Sequence, residues 1–205
     1  MRPCHCCTRR LFDTSRLRTP VGKTRFSNTA VPNARSHQGN STPKLQPPNT
    51  PGLRELQEKE SLRKIFTELQ LLNKHQKPIL LKIAPDLETS ALDDIISLTD
   101  EVNIAGLVSS NTTLDRSLLN TQNQLKAAEI GLGGLSGQPL LSKSTAILSY
   151  LHKGLNGRIP IIASGGIFTG ADAQEKMNAG ADLVQVWTGF IYEGPGIVKN
   201  ICSHL

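Results

Sequence analysis

Residues 158–190 constrain the fold more than any other part of this 205-residue chain. They read RIPIIASGGIFTGADAQEKMNAGADLVQVWTGF. Two apolar runs of strand length, 159–163 and 183–187, flank a helix-compatible segment that Thr169 opens and Gly180 closes. Strand, helix and strand in this order make a β-α-β unit, and the crossover helix requires the two strands to be parallel. Gly165-Gly166 follows the first strand, where parallel α/β folds place their ligand loops. Adjacent glycines admit positive φ and let the backbone approach a bulky anion. The N–H groups of the next helix could then face a phosphate. A tight βα turn calls for the same two glycines, so both readings stand at this point.

The same alternation recurs upstream. Leu62, Ile65, Phe66, Leu69 and Leu72 fall at helical spacing, with Glu58, Lys59, Glu60, Arg63 and Lys64 on the other face. Pro78 then leads into a buried strand over 79–84 that carries a single lysine, Lys82. Ser90 and Asp93 resemble a capping box for a helix whose inner face is Leu92, Ile95, Ile96, Leu98 and Thr99. A second strand over 104–108 runs into Ser109-Ser110-Asn111-Thr112-Thr113. The glycine-rich segment 131–140, GLGGLSGQPL, precedes a helix with Ala146, Ile147, Tyr150 and Leu151 inside. After the opening unit, a last helix begins near Pro195, a favoured first-turn residue, and carries Ile197, Val198 and Ile201 inward. One helix followed by four strand–helix repeats predicts either half of a (β/α)8 barrel or a small open α/β sheet.

The charge is unevenly spread. Residues 1–46 hold seven Arg and two Lys against the single acid Asp13, a balance of +8, so the net +6 leaves about −2 for the rest. This segment shows no periodicity and few large apolar residues, which predicts disorder. Its acid-poor, Arg- and Ser-rich composition is that of a mitochondrial transit peptide; a nucleic-acid arm or a mis-joined piece of gene are the rival readings. The expected division is therefore a basic tail over 1–46 and a partial barrel over 47–205. No run approaches the length of a transmembrane helix. Cys4, His5, Cys6 and Cys7 lack a second half-site at zinc spacing, so reduced thiols are expected and no metal site is assigned.

The chemistry gathers after the strands. Lys82 must be paired or face a ligand, because burying an ammonium alone is costly. It is read either as a snorkelling strand-end lysine or as a fixed cation beside an electron-rich ring. Ser110, Asn111 and Thr112 supply short hydrogen-bonding groups suited to amide and imide edges, although they also suit an ordinary turn. Ser136-Gly137 and Gly165-Gly166 offer two backbone anion cradles, and Trp187-Thr188 offers an aromatic wall beside a hydroxyl. No Ser-His-Asp set or Walker loop is present, and His5, His37, His75, His152 and His204 are expected to be solvated.

Six ordered segments carry a resemblance: PNTPGLRELQ (48–57), LLKIAPDL (80–87), SNTT (110–113), GGLSGQPL (133–140), IPIIASGGI (159–167) and LVQVWTGFIYEGP (183–195). Together they resemble the C-terminal half of dihydroorotate dehydrogenase of the quinone-using, membrane-associated class, over residues 48–205. The resemblance implies an FMN-binding (β/α)8 barrel that oxidises dihydroorotate to orotate in pyrimidine synthesis, with quinone as acceptor. It also implies location at the mitochondrial inner membrane. By motif position, Lys82, Ser110, Gly137, Gly166, Trp187 and Thr188 would contact FMN, with a Trp where tyrosine is usual. Asn49, Asn111 and Thr112 would hold dihydroorotate. Other FMN-using barrels are a rival reading, against which PNTPGLR and YEGP speak.

The departures limit what the resemblance implies. Where the family carries Asn-x-Ser-Ser before PNT, this chain has Lys44 at the asparagine and Pro47 at the base serine. Proline cannot accept a proton, and losing a positioned base removes about 10²–10⁴ in rate. The first three strands and most of the fourth have no counterpart, and the resemblance stops where residues 1–46 begin, like a splice junction. The chain alone is thus expected to be inactive or weakly active. The alternative is a truncated, non-catalytic product that binds a flavin phosphate or associates with a full-length copy. Half a barrel exposes two strand edges, which invites such association.

Overall fold

The computed structural model describes residues 58–205 except Leu132. Pro47, Asn49, the Cys4–Cys7 cluster and the basic tail lie outside the described residues. In chain order the elements are α1 (Lys59–Leu72), β1 (Leu80–Ile83), α2 (Thr89–Glu101), β2 (Gly106–Ser109) and α3 (Thr121–Ile130). A 3-10 turn (Gln138–Leu140) leads into α4 (Leu141–Leu155), followed by β3 (Ile161–Ser164), α5 (Gly170–Asn178), β4 (Leu183–Gln185), α6 (Thr188–Glu193) and α7 (Gly196–Cys202).

The four strands form one sheet in the order β1-β2-β3-β4, every pair parallel. This order separates the two predicted architectures. A doubly wound open sheet reverses its strand order at a switch point, whereas here each strand lies beside its successor, the winding of a (β/α)8 barrel.

Strand alternation sets the layers. Leu81, Leu107 and Ile161 share one register row and are almost fully buried. They join Phe66, Leu98, Leu148, Leu151 and Leu155 from the helices in the main core, each such side chain contributing about 1.5–3 kcal/mol. Lys82, Val108, Ile162 and Leu183 share the next row and face the opposite side of the sheet. A smaller core of Ile167, Ala173, Ile197 and Ile201 fixes α7 against α5.

The structure corrects several sequence expectations. The α2 N-cap is Glu88 and makes no side-chain cap bond, so Ser90 and Asp93 form no capping box there. Asp93 instead accepts from the Tyr150 hydroxyl at 2.7 Å. The capping box occurs at α5, where Thr169 and Asp172 bond each other's backbone N–H. Ala146, Val198 and Leu72 are exposed, because each sits at the edge of its helix's apolar stripe. Two helices were missed. None of α3 is buried, so it lacks the periodicity that marks a packed helix, and α6 spans only Thr188–Glu193. His152 and His204 are exposed as expected, yet their rings pack where a Cβ on Gly180 or Gly170 would fall.

Candidate functional site

The carboxyl ends of β1 and β2 are joined through one carboxylate. Asp86, just past β1, accepts from the Thr113 hydroxyl and from the Leu114 N–H at 2.8 Å. Lys143, in the first turn of α4, bonds Asp86 at 2.7 Å and Asp115 at 3.3 Å. Partial burial pushes the Asp86 carboxyl up, but the bonds from Lys143, Thr113 and Leu114 outweigh it and hold its pKa below the usual range. Burial likewise opposes charge on Lys143, and its two carboxylate partners more than offset that, leaving its pKa raised. Three separate segments are thus fastened at one point.

That fastening shapes the loop carrying Ser110, Asn111 and Thr112. Ser110 is buried, follows a cis Ser109–Ser110 peptide bond, and donates its N–H to the Ser164 carbonyl at 3.0 Å. Asn111 donates its N–H to the Ile83 carbonyl at 2.8 Å, and its side chain is half-buried, as is that of Thr112. The fully buried Thr113 pairs with Leu135 through both backbone bonds, at 3.0 and 2.7 Å. The loop after β2 and the glycine-rich loop therefore zip together, and Arg116 adds a bond to the Gly133 carbonyl. A Cβ on Gly134 would lie 2.0 Å from the Thr112 hydroxyl oxygen, which is why that position is glycine. Lys82 is half-buried in β1, in register with Val108.

At the other end of the sheet, Gly137 and Gly166 hold φ of 86° and 80°, in the region that favours glycine. A Cβ on Gly166 would strike Leu141 at 2.5 Å, and one on Gly137 would reach the Thr188 methyl at 3.3 Å. Thr188 in turn donates to Ser136 at 3.1 Å. Ser136, Gly137, Gln138, Pro139, Phe168, Thr188 and Tyr192 line an open depression of about 200 Å³. Phe168 and Tyr192 supply its aromatic side, their ring centroids 6.1 Å apart. Trp187, expected to form that wall, is 74% exposed and does not line the depression. The Gly137 backbone and two hydroxyls fit a phosphate-sized anion, which prefers N–H and O–H donors to bulky side chains, whereas Gly166 is not among the residues lining the depression.

The structure thus brings Gly137 and Thr188 together with Ser136, and places Ser110, Asn111 and Thr112 on the neighbouring loop. Sequence reasoning missed Asp86, Thr113, Lys143 and Lys176. The APD turn after β1 was the available signal for Asp86; for Lys176 there was none, since a lysine on a helix reads as solvated. Its side chain is 0% exposed and donates to Leu141 O at 3.0 Å, Ser144 Oγ at 2.6 Å and Thr145 Oγ1 at 2.8 Å. Burial pushes the Lys176 ammonium down to about 8, against weaker support from Glu175 and Asp172.

Comparison with known proteins places the chain in a family. The family described as Dihydroorotate dehydrogenase matches residues 44–205. Dihydroorotate dehydrogenase (quinone) of Christiangramia forsetii is 50% identical over 157 residues, covering 75% of this chain and 45% of that protein. The Trichodesmium erythraeum protein of the same name is 47% identical, covering 77% of this chain and 43% of its own length. The solved DHODH of Eimeria tenella in complex with ferulenol superposes with a TM-score of 0.69 at 36% identity, covering 78% of this chain and 47% of that one. This chain therefore spans a little under half the length of the curated relatives it matches. Its four-stranded parallel sheet is a partial (β/α)8 barrel, and the chain belongs to the dihydroorotate dehydrogenase family.

Proposed function

We propose that this chain carries the phosphate-holding end of an FMN site and part of a dihydroorotate site, and that alone it turns over little or nothing. The chemistry that FMN supplies when bound is oxidation of dihydroorotate to orotate, with a quinone as final acceptor. Backbone N–H groups at Gly137 and Gly166, with Thr188, would hold the FMN phosphate. Trp187 and Ser110 would make further cofactor contacts. Lys82 would stabilise negative charge near the cofactor ring. Asn111 and Thr112, with Asn49, would bind the amide and imide edges of dihydroorotate. Pro47 stands where a proton-accepting side chain is required and cannot serve. The likeness to quinone-type relatives supports membrane association, and the acid-poor, Arg- and Ser-rich composition of residues 1–46 supports mitochondrial placement.

The observation that carries this reading is the convergence of Ser136, Gly137 and Thr188 on one depression beside the loop of Asn111. Anaerobic mixing of the purified chain with FMN and dihydroorotate, followed by flavin absorbance, tests it. We expect FMN to be retained weakly and reduced at least about 10²-fold more slowly than in a complete enzyme of the family. Stoichiometric FMN with rapid reduction would overturn the proposed deficiency.

A second reading rests on the sheet edges. Among the described strands, β1 and β4 each have one neighbour only, and Trp187, Ile191 and Tyr192 are largely exposed beside β4. Such edges and apolar patches favour association with another copy or with a complete enzyme. Light scattering across a concentration series tests this; a monomer throughout would count against it.

A further inference from the structure

Lys176 is the one fully buried lysine among the described residues, and its three acceptors are all neutral. An ammonium has three protons to donate, so this cage saturates it. A buried charge without a bonded counter-ion is unfavourable, and a better-packed apolar side chain would ordinarily serve a purely structural role as well.

Its partners lie directly behind the two cradle glycines. Leu141, whose carbonyl accepts from Lys176, is the residue that a Cβ on Gly166 would strike at 2.5 Å. Ser144, whose hydroxyl accepts from Lys176, sits 3.1 Å from the Gly165 carbonyl and 3.1 Å from the position of a Gly165 Cβ. While it accepts from Lys176, the Ser144 hydroxyl has one proton for the carbonyls of Leu140, Leu141 and Gly165, at 2.8, 3.0 and 3.1 Å, and so bridges the first turn of α4 to Gly165. The chain of contacts runs from α5 through the first turn of α4 to the turn after β3. It ends at the turn that leads to Phe168, on the wall of the depression.

We propose that Lys176 is a positioning residue for the anion cradle: its ammonium fastens the first turn of α4 against Gly165–Gly166 and supplies a buried positive charge behind the backbone donors. This rests on the reading of the depression as a phosphate site. The anion held in front would compensate the charge held behind. A purely structural lysine would affect folding without changing the preference between ligands that differ only in a phosphate.

The test is fluorescence titration of the purified full chain, and of its Lys176→Met and Ser144→Ala variants, with FMN and with riboflavin. The wild type is expected to prefer FMN. Lys176→Met should lower FMN affinity about tenfold or more while riboflavin binding stays within about twofold. Ser144→Ala, which keeps the charge but cuts the link to Gly165, should lose FMN preference by a smaller factor. A wild type that binds both flavins equally sinks the cradle reading and this inference with it. A wild type that prefers FMN, with Lys176→Met preferring it equally, overturns the inference and leaves the cradle standing. If circular dichroism shows the Met variant unfolded, Ser144→Ala decides by the same ratio: undiminished preference overturns the role of Lys176.

Discussion

At the β1–β2 end of the sheet, the partly exposed charges of Asp86, Lys143 and Asp115, with the buried hydroxyl of Thr113, tie three segments together. At the β3–β4 end, the loops are shaped by glycines at positive φ, with Asp172 accepting the Phe168 and Thr169 N–H groups and Lys176 held out of contact with solvent. The first arrangement leaves the side chains of Asn111 and Thr112 half-buried beside it, as recognition of a planar polar ring requires. The second clears side chains away, as holding a phosphate with backbone groups requires. The proposed function therefore asks one fold for two kinds of binding surface, through side-chain chemistry at one end and its removal at the other.

The sharpest way to break this contrast is Gly166→Ala. A Cβ there meets Leu141 at 2.5 Å with φ at +80°, so a loss of about 2–4 kcal/mol in urea denaturation is expected. Gly131→Ala, at φ 90° and ψ −158° with nothing within 4 Å, carries the conformational cost alone, about 1–3 kcal/mol, and should lose less than Gly166→Ala. Equal effects would show that conformation alone, and not close approach, requires Gly166.

The charged end is probed by Asp86→Ala, expected to cost about 1.5–3 kcal/mol near neutral pH through its lost bonds to Lys143, Thr113 and Leu114. The folded pKa of Asp86 is depressed. Its stabilising contribution is therefore present above the unfolded aspartate value of about 4 and lost as pH falls through the lower folded value. The gap between wild type and variant should close in acid; a gap independent of pH would mean that Asp86 acts by packing alone.

Lys176 should give a slope of the same sign in an alkaline window, because there burial disfavours the charged form instead of bonds favouring it. Its folded pKa, about 8, lies below the usual 10.5, so the unfolded chain binds more protons between these values. Stability should rise with pH across that window, by at most about 1.4 kcal/mol per pH unit. Lys176→Met should flatten the rise in guanidinium denaturation curves taken from pH 8 to 10.5. The smallest effect is expected from Arg158→Ala. Its bond to Asp100 lies on exposed surface, and thermal unfolding should register no more than about 0.2–1 kcal/mol.

Much of this contrast was legible in the sequence, for a physical reason. Strands buried on both faces leave continuous apolar runs, as around Leu107 and Ile161. Glycines that cannot be replaced stand out, as at 165 and 166. What escaped notice depends on contacts between distant segments. Lys176 carries no mark distinguishing it from a solvated lysine until Ser144 and Leu141 fold around it. The pairing of Thr113 with Leu135 joins two loops that read separately as polar turns. Ala146 and Val198 were placed inside because periodicity locates a stripe but not its width.

The succession of strands, each beside the next in sequence, also has a kinetic consequence. The partners Leu81 and Leu107 are 26 positions apart, Ile162 and Leu183 only 21, but Leu107 and Ile161 are 54 apart. Doubling a closure distance costs about 0.6 kcal/mol of chain entropy, and the excess between β2 and β3 includes α3, none of which is buried. The β1–β2 and β3–β4 pairs should then form early and separately, with their docking across the α3 segment as the late step. Shortening that segment should speed refolding while leaving the rate of unfolding almost unchanged.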